Sequence, residues 1–175
     1  MKNFVSKSFL FLVYIFGGSY LGLLAVVVLQ YPVKMIFEDA NMSLFFALCI
    51  DTVMIASTAL YSFRVGYKDN NKYETTSVPG TAARIGCACV VFVLLALLFS
   101  FGHPHTLNTV YLAHAILGPE KSWNLDIVTT AEQYGGLLLA LTTLQTFLCG
   151  GGMFAGYLLG GKKRLADRRE MTGRE

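Results

Sequence analysis

The stretch YGGLLLALTTLQTFLCGGGMFAGYLLGGKKRLADRR, residues 134–169, decides how this chain is read. It is an apolar run without a charged side chain until Lys162, Lys163, Arg164, Arg168 and Arg169 close it. About 20 mostly apolar residues are enough for a helix to cross a hydrocarbon core of about 30 Å. A basic cluster beside the end of such a run marks the side kept in the cytoplasm. Working outward, three more runs of this kind lie at 9–29, 44–63 and 83–101, and the one quoted spans 134–159. Twelve of the fourteen Lys and Arg residues then fall on one side of the four runs, the exceptions being Lys34 and Lys121. The chain therefore reads as an all-α, polytopic integral membrane protein with four transmembrane helices and both termini cytoplasmic (N-in, C-in), placed in the inner or plasma membrane. Residues 1–161 form the transmembrane domain and residues 162–175 a basic tail, whose alternating charges predict frayed helix or disorder.

Composition agrees. At 54% hydrophobic and a mean hydropathy of +0.54, 175 residues cannot cover a water-facing surface with polar side chains. The net charge of +3 and pI near 8.7 do not point to nucleic acid, because the basic residues stand at span ends and not in a patch with interleaved aromatics. They are placed to meet anionic lipid, so the bilayer is the first expected partner. Lys2 and Lys7 followed by an apolar stretch look like a secretory signal. Its length, and the lack of a small-x-small cleavage site before Gln30, make it a retained signal anchor. Lipidation motifs are absent.

The connectors sort by charge. Gln30, Tyr31 and Pro32 read as a stop at the outer interface, followed by a short loop with Lys34, Glu38 and Asp39. Residues 64–81 are polar and turn-rich, with Arg64, Lys68 and Lys72 before Arg84, and form the cytoplasmic loop. Residues 102–133 hold one basic residue, Lys121, and form the second outer loop. Between Pro104 and Gly118-Pro119 the apolar spacing predicts a short interfacial or re-entrant helix, with Trp123 as a headgroup-level anchor.

Several residues invite a chemical reading. Asp51 falls near the middle of the second run, where an ionised carboxylate costs ~2.5–3.5 kcal/mol on insertion scales. With Ser43, Ala47, Thr58 and Ser62 it lies on one small and polar seam. It is either a proton or cation site or, protonated, a hydrogen-bonding link to a neighbouring helix, and the second is preferred because no basic partner stands in the spans. Thr142, Gln145 and Thr146 offer further interhelical hydrogen bonds. Gly18 and Gly22, and Gly152, Gly156 and Gly160, recur every four residues and predict close helix packing without naming the partner. His103, His105 and His114 share one outer segment and are candidate metal or haem ligands. The bland reading makes them amphipathic side chains with wet tips.

Other chemistry is excluded more firmly. Cys49, Cys87, Cys89 and Cys149 all lie within the runs, which argues against a disulfide framework, and Cys87 and Cys89 point to different faces of a helix. Gly150-Gly151-Gly152 lacks the strand and Gly-Lys-Ser/Thr ending of a phosphate loop. No nucleophile elbow or His-Glu-x-x-His occurs, and no internal repeat is evident.

Two stretches, Tyr61-Ser62-Phe63-Arg64-Val65-Gly66-Tyr67-Lys68-Asp69-Asn70-Asn71 and Gly156-Tyr157-Leu158-Leu159-Gly160, resemble uncharacterised small four-helix membrane proteins from Gram-positive bacteria. There a Gly-x-x-Asp-x-Asn step leaves the second helix and a Gly-Tyr-x-Leu-Gly step ends the fourth. The resemblance covers about a fifth of the chain and implies a bacterial cell membrane and this topology, with no activity attached. The expected function is that of a non-enzymatic subunit or accessory protein without cofactor, packed against itself or another membrane protein. The rivals are a small channel or transporter built on Asp51 and a metal or haem protein built on the histidines.

Overall fold

A backbone enclosed by apolar side chains has no water to bond and must satisfy its own N–H and C=O groups, which favours unbroken helix. The computed structural model describes residues 2–36, 43–69, 77–98 and 127–172, and all but Ser77 among them are helical. The elements are α1 (Lys2–Ile36), α2 (Ser43–Asp69), α3 (Val78–Leu98) and α4 (Ile127–Thr172). Each contains a segment long and apolar enough to cross a membrane. At 1.5 Å per residue α3, with 21 residues, is about 30 Å long, whereas α4, with 46, reaches about 70 Å.

Helix ends depart from the apolar runs in several places. Helix α1 continues through Pro32 to Ile36, so the proline marks where the apolar run closes and not where the helix stops. Helix α2 extends past residue 63 to Asp69, and α4 begins at Ile127, before the run at 134. The basic tail is helical as far as Thr172, not frayed, because side chains on α2 hold it. Helix α3 starts on a cap: the Ser77 hydroxyl accepts from the Gly80 N–H at 3.2 Å, and its carbonyl accepts from the Thr81 N–H at 3.0 Å. Pro79 fits in this first turn, where an N–H has no helical partner anyway. The short outer-loop helix expected after Pro104 lies outside the described residues.

Helix α2 packs most broadly on α4 and next on α1, while α3 lies against α1 and α4. Around the bundle the order is thus α1, α2, α4, α3. Glycine sets the distances on both flanks of α2. A Cβ added at Gly18 on α1 meets Thr58 Cγ2 at 2.7 Å, and one at Gly22 meets the Ile50 carbonyl at 2.9 Å. On the other flank, added Cβ atoms at Gly156 and Gly160 collide with the carbonyls of Ala59 and Phe63, and one at Gly152 meets Ile55 Cγ2 at 2.9 Å. The contact is reciprocal, since a Cβ at Gly66 on α2 runs into the Tyr157 carbonyl. The helix that the α4 glycines receive is therefore α2 of the same chain. The main core joins Phe11 and Ile15, Met54, Ile85, Cys89 and Phe92, and Cys149, Met153 and Tyr157 from all four helices. A smaller cluster, Val26, Phe46, Ala47 and Ile50, fills the α1–α2 interface.

Candidate functional site

Two polar groupings occupy the bundle. The first runs through its interior along the α2 seam. Asp51, half-buried on α2, accepts from Gln145 Nε2 of α4 across a long 3.4 Å. Two turns on, the fully buried Thr58 hydroxyl donates to the Met54 carbonyl at 2.8 Å, as threonine in a helix commonly does, and lies 3.2 Å from Cys149 Sγ. Cys89 on α3 donates its thiol to the Thr146 carbonyl at 3.6 Å, and Ser19 on α1 bonds the Ile15 carbonyl at 2.9 Å with Met54 Sδ at 3.4 Å. The column thus takes at least one polar or sulfur group from each helix. Asp51, Thr58 and Gln145, singled out from sequence, all stand on it, whereas Cys149 and Cys89 were read only as small apolar side chains. All four cysteines are free, with Cys87 facing outward and Cys89 inward.

The second grouping ties the charged end. Lys7 Nζ on α1 lies 2.6 Å from Asp69 Oδ2 at the end of α2, and the Tyr157 hydroxyl of α4 donates to the same oxygen at 2.9 Å. Phe11 packs edge-on to Tyr157 at 6.1 Å, and Tyr14 stacks on Tyr61 at 5.3 Å, so aromatic rings roof the pair on its inner side. Beyond it, the Tyr67 hydroxyl donates to Asp167 Oδ2 at 2.9 Å, and Arg164 lies 5.1 Å over the Tyr67 ring. These bonds bring the start of α1, the end of α2 and the late part of α4 to one end of the bundle, and the Arg84 guanidinium over Phe4 brings the start of α3 there too. The Gly66–Asp69 and Gly156–Gly160 steps quoted above meet here face to face.

Sequence reasoning missed this carboxylate. The available signal was local: an acidic residue closing a helix stands against the negative end of the macrodipole and needs a cation or donors to hold it there. Lys7 and Tyr157 supply both.

The arrangement can link helices, α2 to α4 through Asp51–Gln145 and Thr58–Cys149 and α3 to α4 through Cys89. Among the described residues no group of three His, Cys, Asp or Glu side chains is placed to hold a metal ion. His103, His105 and His114 lie outside those residues. Neither a family model, a curated protein nor a solved structure matches the chain.

Proposed function

We propose that the chain is a small, non-enzymatic multi-pass membrane protein that serves as a subunit or accessory component of a membrane assembly, with both termini cytoplasmic. The orientation reading is supported by the gathering of Lys7, Arg84, Arg164 and their basic neighbours at one end. The observation that carries the assembly reading is on the outside of α4. There Gly151 has nothing within 4 Å, and with the exposed Ala155 one turn on it forms a shallow step between the exposed Leu144, Leu148 and Leu159. The inward glycines Gly152, Gly156 and Gly160 are already used by α2, so this second small face is left for a helix of another copy or another protein. The Asp51–Gln145 and Thr58–Cys149 contacts are of the kind expected of structural links between helices.

Native mass spectrometry after gentle detergent extraction tests the reading. The expected result is a retained second copy or companion chain, lost in Gly151→Leu while the protein still melts as wild type. A clean monomer in every gentle detergent overturns it. Labelling of Lys72→Cys or Leu165→Cys from outside intact cells overturns the orientation.

A second reading makes the interior column a proton or cation path. It is favoured by the place of Asp51, a half-buried carboxylate within a membrane-length helix. Proteoliposome flux decides it: transport requires a proton or cation current that Asp51→Asn abolishes, and equal or absent flux in both proteins at neutral and acidic pH removes it.

A further inference from the structure

Among the described residues of the charged end, one cation has a buried donor atom without a hydrogen-bond partner. Arg84, two turns into α3, is half-buried with its Nε shielded from solvent and without a hydrogen-bond partner. Of the described carboxylates at this end, Asp69 is engaged by Lys7 and Tyr157 and Asp167 by Tyr67. Its described contact is the face of the Phe4 ring on α1, 6.0 Å from the guanidinium carbon. One turn along α1 from Phe4, Ser8 is 8% exposed and its hydroxyl also lacks a partner. A buried orphan donor on a permanent cation is costly, and two orphans along one interface call for an acceptor that comes from outside the chain.

The surroundings say what kind. On α1 the flanking Val5 and Phe9 are each 64% exposed, and on α3 the exposed side chains beside Arg84 are Ala83, Cys87 and Val90. A guanidinium offers a phosphate charged donors in a planar fork, and the apolar flank suits an acyl chain running away from it. We infer that Arg84, with Phe4 and Ser8 where α1 meets α3, holds the phosphate of one anionic phospholipid. This rests on the membrane placement proposed above and not on the assembly or transport readings. The headgroup sits at the level of Arg84, and its phosphodiester accepts from the guanidinium and the Ser8 hydroxyl.

The test uses the full-length protein in a zwitterionic detergent, offered equimolar phosphatidylcholine and phosphatidylglycerol with the same acyl chains. Native mass spectrometry is expected to show preferential retention of phosphatidylglycerol, and Arg84→Gln is expected to lower that preference about tenfold, as for loss of a charged hydrogen-bond donor. Arg84→Lys keeps the charge and stem but not the fork and is expected to fall between them. A photoreactive phosphatidylglycerol is expected to crosslink wild type within 4–9 and 83–90. Equal retention of the two lipids, an unchanged ratio in Arg84→Gln, or crosslinks confined elsewhere overturns the inference. So does full displacement by millimolar inorganic phosphate, which marks a free-anion site. Release of the protein from vesicles by carbonate separately defeats the membrane placement.

Discussion

Helices α2 and α3 both lean on α4, but through different parts of the chain. Against α2, α4 presents Gly152, Gly156 and Gly160, and two of these meet carbonyl groups of the α2 backbone. Against α3, the nearest equivalent is Gly150, where an added Cβ meets Cys89 Sγ at 2.8 Å and Ile85 Cγ2 at 3.5 Å. At Gly156 and Gly160 the first interface joins main chain to main chain, which cannot rotate away. The second joins a backbone to side-chain ends that can move. The two flanks of α4 thus differ in rigidity, and α3 is held through the more adjustable contacts.

Substitutions at the two interfaces and at the charged end break or sharpen this contrast. Gly156→Leu places a side chain where the Ala59 carbonyl stands and is expected to cost about 3 kcal/mol, with Gly160→Val close behind. Unfolding in detergent titrated with dodecyl sulfate measures it, and a near-wild-type transition would show that α2 and α4 separate easily. Asp69→Ala comes next, at about 2 kcal/mol, because it strands the Lys7 ammonium and the Tyr157 hydroxyl at once. A double-mutant cycle with Lys7→Met reads the pairwise part, and no coupling means that the ion pair is incidental. Gly150→Ala is expected to cost about 1 kcal/mol, since the Cys89 thiol can turn aside. A loss as large as that of Gly156→Leu erases the distinction between the interfaces. The smallest effect is at Gly86 on α3, which has nothing within 4 Å. Alanine there is expected to gain about 0.5 kcal/mol from helix propensity, visible as a slightly raised melting temperature.

The four apolar runs and the one-sided charge were legible because both are local signals, readable within a window of one span. Asp51, Thr58 and Gln145 stood out for the same reason, as polar side chains in apolar surroundings. What was not legible is pairing. The four-residue spacing of Gly152, Gly156 and Gly160 announces a close neighbour, yet only the assembled bundle says that it is α2 and not another chain. The Asp69 contacts with Lys7 and Tyr157 join residues 62 and 88 positions apart, a separation across which no periodicity speaks. Pro32 misled for the opposite reason: a strong local breaker was overruled by the helix around it.

Helix α4 is a single rod more than twice as long as an apolar layer is thick, and its tightest grip lies between its ends, at the seam against α2. Such a rod is a lever with a fulcrum. The arm bearing Arg168 and Arg169 and the stretch where Gln145 reaches toward Asp51 stand on opposite sides of that fulcrum.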